Sequence, residues 1–158
     1  MNQDKVPTLY EWAGGLEAIE TLFFQFYGKV RVDATLAPVF AEMPAHHFRT
    51  VAHFVSEVLG GPKLYSGDGN SNHSMMVAKH LGKHLTEQQR KRWVELLLDT
   101  ADDLQLPADP EFRSALVGYL EWGSRIAVLN SSGTENPIAE TAPMPAWGWG
   151  EVKGPYIP

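Results

Sequence analysis

His80 and His84 stand four residues apart in the stretch VAKHLGKHLTEQQRKRW, residues 77–93, and Trp93 follows His80 at a spacing of thirteen. An imidazole can serve as a metal ligand, an acid–base group or a hydrogen-bonded core residue, and its neighbours decide which. Histidines at i and i+4 share a helix face, so zinc held by His80, His84 and a carboxylate is one reading. Against it, Gly82 interrupts the run, and the glutamate that follows the first histidine in helical metalloprotease motifs is missing. The chain has no cysteine, which removes disulfides, thiolate zinc sites and iron–sulfur clusters. Any metal must be held by His, carboxylate, Tyr or Met.

Three more histidines lie in AHHFRTVAHFVSEVL, residues 45–59. On a helical wheel, His47, Val51, Phe54, Val55 and Val58 fall within one arc of roughly 100°. His46, Thr50, His53 and Glu57 form a flank, with Arg49 and Ser56 on the far side. His47 therefore points inward, while His46 and His53 face water. An inward His47 is either a core-edge residue bonded to backbone or a group facing a bound ligand.

Haem fits this pattern better than zinc. It needs one strong axial base on an otherwise apolar wall. It also needs aromatic surface against the porphyrin and basic or hydroxyl groups at the edge for its propionates. His80 follows Met76 by four and is a lone inward base, and Lys79, His84 and Tyr65 lie close by in sequence.

The elements that must position these groups read as helices. Thr8 to Glu11 forms a capping box opening a short helix that Gly14-Gly15 closes. Ile19, Phe23, Phe26, Tyr27 and Val30 then make an unusually aromatic helical stripe. Residues 38–44 connect to a helix over Ala45–Leu59, stopped by Gly60-Gly61-Pro62. A loop over 65–73 precedes a short helical run, SMMVAKHL. A second capping box, Thr86 to Gln89, starts a long helix with Trp93, Leu96, Leu97, Thr100, Ala101 and Leu104 on one face. Pro110 suits the first position of a last helix, which turns Phe112, Leu116, Tyr119, Leu120, Gly123 and Ile126 inward and ends near Asn130. No segment alternates with a period of two, so the fold class is all-α.

At 158 residues the chain is long enough for one domain with a real core. A net charge of −6 argues against nucleic acid or an anionic membrane as partner. No apolar run approaches the ~20 residues that span a bilayer. The N-terminus, MNQDKVPTLYEW, has no basic segment followed by an export-signal core, so the expected address is cytoplasmic. Residues 1–130 are read as the domain and 131–158 as a C-terminal extension. The extension's five prolines and four glycines forbid a continuous helix. Its Trp147, Trp149 and Tyr156 predict docking on the body rather than trailing in solvent.

Over about Leu9 to Leu129 the chain resembles the group II truncated haemoglobins, which are two-over-two helical globins. The resemblance rests on YEWAGG, FYGKV, GGPKLY, and KH with its tryptophan thirteen residues on. It implies His80 as proximal iron ligand and Tyr27, His47 and Trp93 as the distal, ligand-binding residues. The cofactor-binding set is Phe40, Val51, Phe54, Tyr65, Met76, Lys79, His84 and Trp93. Phe40 wedges the haem, Val51 faces the ligand, and Lys79 pairs with a propionate. Gly82 and Lys83 stand where the family usually has proline and phenylalanine, which directs His84 toward the propionates. The extension is not a general feature of the family.

The implied cofactor is haem b, with O2, CO or NO as ligands, an unidentified reductase, and a monomer or homodimer as assembly. Donors aimed at the negative charge on dioxygen slow its release, each contributing about 1.5–3 kcal/mol. Two of them slow it by about 10²–10⁴. Such a pocket suits sensing or O2, NO and peroxide chemistry better than transport, and an NO dioxygenase or peroxidase-type activity stays open, with no catalytic residue assigned. The second imidazole nitrogen of His80 should donate to the Met76 carbonyl. The alternative reading is a globin-fold interaction module whose Pro/Trp tail binds a protein partner.

Overall fold

Both capping boxes form. Thr8 accepts from the Glu11 amide and Glu11 from the Thr8 amide, opening α1 (Leu9–Ala13). Thr86 and Gln89 do the same for α5 (Glu87–Asp103). Each satisfies donors that would otherwise lack partners at a helix start. Gly14, with φ of 115°, ends α1, and α2 (Gly15–Val30) begins at once. The computed structural model describes residues 5–157. Residues 1–4, part of the N-terminus read above as lacking an export signal, and residue 158 lie outside the described residues.

The remaining helices are α3 (His47–Val58), α4 (His73–Ala78) and α6 (Pro110–Ser131), followed by one 3-10 turn at Gly150–Val152. Pro110 takes the first turn of α6, and Asp109 caps it by accepting from the Phe112 amide. α2 packs on α3, α5 packs on α6, and α2 joins the two pairs through α5. That is a two-over-two helical sandwich. No strand occurs among the described residues, and none of their helices is long and apolar enough to cross a membrane.

The stripe on α2 is buried as the periodicity predicts: Ile19, Phe23, Phe26, Tyr27 and Val30. They meet Val58 of α3, Leu97 of α5 and Phe112 of α6 in one core. Each large side chain fully buried there contributes about 1.5–3 kcal/mol. Asp33, just beyond α2, accepts from the amides of Thr35 and Leu36 through Oδ1 and from Arg92 Nε through Oδ2 at 2.7 Å. It thereby ties the end of α2 to α5.

Several expectations need correction. α3 starts at His47 rather than Ala45, because residues 44–46 make turns. Ser56, placed on the far side of the wheel, is fully buried. The chain returns over that side: the Gly61 amide donates to the Ser56 carbonyl and the Tyr10 amide to that of Leu59. His53 is not free in water; its Nε2 lies 3.2 Å from Glu20 of α2. The run SMMVAKHL is helical only to Ala78, so His80 sits beyond the helix end.

The extension contacts the body at several places. Asn136 and Ile138 bond Ser74 of α4. The Trp147 amide donates to the Val58 carbonyl, and its indole lies beside Tyr119 and Trp122 at 6.0 and 5.8 Å between ring centres. That indole rests on Gly118, where an added Cβ would come within 3.4 Å of it. Trp149 donates from its indole to the Pro7 carbonyl and sets an edge against Trp12.

Candidate functional site

A cavity of about 570 Å³ lies among these helices, mostly apolar, and large enough for a cofactor. α2 supplies Tyr27, the connector after it Phe40, α3 His47, Val51 and Phe54, and α5 Trp93. Another wall comes from α4 and the turn after it, which bring Met76, Lys79 and His80, and from α6.

The first group is held by aromatic packing. The Tyr27 ring lies 4.9 Å from His47, 5.5 Å from Phe40 and 4.9 Å from Phe26, and Phe26 in turn meets Trp93 edge-on at 5.6 Å. Burial pushes the Tyr27 hydroxyl well above its ordinary range, with the Trp93 side chain pulling less strongly the other way. Tyr27 therefore keeps its proton and remains a donor. His47 is pushed down to about 4, first by burial and then by the positive groups Lys79, His80 and His46. It is neutral near pH 7 and offers one N–H.

His80 is arranged differently. Its Nδ1 lies 3.0 Å from the Met76 carbonyl, which can only accept, so Nδ1 carries the proton and Nε2 the lone pair. Burial lowers the affinity of the ring for a proton, the Met76 carbonyl opposing, and Lys83 and Lys79 lower it further. A neutral imidazole with Nε2 free is the form that binds a metal. Lys79 and Lys83 stand at the same cavity as available cations.

Two expected cofactor contacts are absent from the cavity wall. Tyr65 is buried but spends its hydroxyl on the Asn72 carbonyl at 3.0 Å and packs on Phe54, so it braces the start of α4. His84 is exposed, because Gly82 and His84 both take left-handed backbone, with φ of 72° and 50°, and turn it away. The same turn leaves His80 and His84 without a common helix face, which removes the geometry of the zinc reading. Among the described residues no three His, Asp or Glu side chains gather to hold a bare ion.

Among the wall residues that sequence reasoning missed, three stand out. Arg90 is 5% exposed and bonds Glu121 at 2.7 Å and Ser124 at 3.2 Å. Its pairing with Glu87 three residues earlier was legible, whereas that with Glu121 required the fold. His73 lies nearly parallel to Phe54, with 6.4 Å between ring centres. Pro145 shows that the extension itself contributes to the wall.

One axial base, an apolar and aromatic wall, protonated donors and two lysines form a donor set that fits iron haem. The sequence profile of the bacterial-like globin family matches residues 8–121. The chain belongs to that family, among the group II truncated haemoglobins. It is 31% identical over 111 residues to the group 2 truncated haemoglobin YjbI of Bacillus subtilis, covering 70% of this chain and 81% of that one. The crystal structure of the group II truncated haemoglobin from Bacillus anthracis matches with a TM-score of 0.70 at 26% identity, over 79% of this chain and 93% of that one. The truncated oxygen-avid haemoglobin from Bacillus subtilis matches with a TM-score of 0.67 at 30% identity, over 77% and 99%. As a truncated haemoglobin, the chain takes iron haem as its cofactor and small diatomic molecules as its ligands. The family profile ends within α6, before the extension.

Proposed function

We propose that this globin holds dioxygen or a related diatomic ligand firmly, for sensing or for reaction with NO or peroxide rather than for transport. The observation that carries this reading is the buried Tyr27 hydroxyl, kept protonated beside Trp93 and His47 on the wall that does not bear His80. When bound, haem would supply ferrous iron, whose chemistry is reversible binding of diatomic ligands. His80 would hold the metal through Nε2, with the Met76 carbonyl fixing its tautomer. A neutral acceptor on Nδ1 gives this histidine moderate rather than strong basicity. Tyr27 O–H and the Trp93 indole N–H would donate to the ligand, with His47 as a third donor. Two such bonds slow release by about 10²–10⁴. Phe40 and Val51 keep the surroundings apolar, which strengthens those bonds. Lys79 and Lys83, at the same cavity, would pair with the propionates. The oxygen avidity named for the Bacillus subtilis structure agrees with this reading.

The interaction-module alternative draws no support from the tail's tryptophans. Trp147 and Trp149 spend their backbone or indole N–H groups on the body, at Val58 and Pro7. Absorption spectra of the ferric, ferrous and CO-bound protein test the cofactor, and stopped-flow oxygen release tests the function. The expected result is a CO-sensitive haem spectrum with slow oxygen dissociation. A colourless protein that takes up no haem would overturn the proposal, as would oxygen release as fast as from a pocket without donors.

A further inference from the structure

His80 depends on a weakly supported segment. α4 has only six residues, too few to be stable alone, and no other described helix packs extensively against it. After its cap at Lys79 the chain makes turns, with left-handed backbone at Gly82 and His84. For His84, a residue with a side chain, that conformation carries strain which surrounding contacts must hold. Internal bonds are few: the amides of His80, Leu81 and Lys83 donate to Val77, Ala78 and His80.

The missing restraint comes from residues 131–138, on both sides of His80. On one side, Asn136 Nδ2 donates to the Ser74 carbonyl at 2.9 Å and lies 3.0 Å from Ser74 Oγ, while Ser74 Oγ donates to the Ile138 carbonyl at 2.8 Å. The Ile138 amide returns a bond to Asn136 Oδ1, which fixes the orientation of the Asn136 amide. On the other side, the amides of Gly82 and His84 donate to the carbonyls of Gly133 and Ser131 at 2.8 and 2.9 Å, and Leu85 donates to Ser131 Oγ at 2.9 Å. Ser131 is fully buried and anchors its own hydroxyl on Val128.

We propose that residues 131–138 are a brace that positions His80 for iron, with Asn136 and Ser131 as its positioning residues. Neither lines the cavity; each acts by fixing the backbone that carries the ligand. The inference rests on the haem reading above. Groups that orient a metal ligand from outside the coordination shell are worth about 10–100-fold in metal affinity.

The test uses full-length holoprotein carrying Asn136→Ala, Asn136→Asp or Ser131→Ala. Asn136 is exposed, so its variants should fold. Asn136→Asp keeps the shape but presents an acceptor to the Ser74 carbonyl. Each variant should transfer haem to excess apomyoglobin about tenfold faster than wild type, and the ferrous iron–imidazole stretching band should shift or broaden. Trp12→Phe, which loses the indole bond to Asp109 and part of the contact with Trp149 but none of the bonds made by residues 131–138, is the control: it should lower the melting temperature without moving that band. In the apoprotein, the amides of Gly82, His84 and Leu85 should exchange faster in Ser131→Ala. An unmoved band with unchanged haem transfer in all three variants would overturn the brace. So would a band that moves equally in Trp12→Phe. A wild-type protein that takes up no haem would instead overturn the haem reading, and amide exchange would still decide whether 131–138 holds the segment.

Discussion

Tyr27 and Trp93 stand on helices of 16 and 17 residues, whereas His80 stands just past the cap of a helix of six. The two sides of the cavity are therefore held by different physics. On the Tyr27 side, aromatic rings in the body of the core fix one another, and moving one would open a void in a close-packed interior. On the His80 side, a short helix and a left-handed turn are held by hydrogen bonds from a distant part of the chain. Ligand chemistry can be altered on the first side without loosening the second. Loosening the second should change how the cofactor is held without touching a ligand donor.

The largest effect that this contrast predicts is His80→Ala, which should abolish tight haem retention, recovered only with added imidazole. A normal ferrous-CO spectrum without imidazole would reassign the iron ligand. Next, Tyr27→Phe and Trp93→Phe should each raise the oxygen dissociation rate by about tenfold or more, the loss of ~1.4 kcal/mol. The iron–imidazole band should stay in place in both, and a shift would break the separation of the two sides. If neither rate changes, His47 is the donor to remove next. The double variant should be measured as well, because neighbouring donors need not add.

A smaller effect concerns the frame around Tyr27. Arg92 beside Asp33, helped by the Leu36 and Thr35 amides, holds the Asp33 carboxyl below its ordinary range, against a smaller opposing effect of burial. Asp33→Asn should cost about 1–2 kcal/mol at pH 7, read from thermal or urea unfolding. A carboxyl with a lowered native pKa adds stability that is complete above its unfolded pKa near 4 and is lost as pH falls through the native one. The gap between wild type and variant should therefore shrink on acidification below about pH 4. A gap independent of pH would place the loss in the turn rather than in the charge. The smallest expected effect is on His47→Ala, whose ferric spectrum should keep the spin state of wild type, since His47 is assigned a hydrogen-bonding role. A low-spin ferric protein that becomes high-spin in the variant would make His47 an iron ligand instead.

These two sides also differed in how far they could be read in advance. Helix periodicity places Tyr27 in the core and His47 on an inward arc, and capping boxes locate the start of the helix bearing Trp93. Each is a local signal, carried within one helix. His84 and Tyr65 lie off the cavity wall because their positions depend on a turn. Two left-handed residues send His84 outward, and the bond of Tyr65 to Asn72 fixes a loop. Ser56 looked exposed on its own helix, since nothing within 45–59 shows that Gly61 and α1 return over it. The partners of Ser74, Gly82 and Leu85 lie far along the chain and leave no periodic trace.

Synthesis order gives that separation a consequence. Ser131 lies 46 residues after Leu85, and Ile138 lies 64 after Ser74. At roughly 5–20 residues per second, a ribosome makes the groups that hold the His80 segment about 2 to 13 seconds after the segment itself. Until then the nascent chain carries the Tyr27 stripe and His80 but none of the bonds from 131–138. Firm haem capture should thus come late in translation. Stalled nascent chains provide the check: those with residues 131–138 outside the exit tunnel should retain added haem, and those halted before Ser131 should release it quickly.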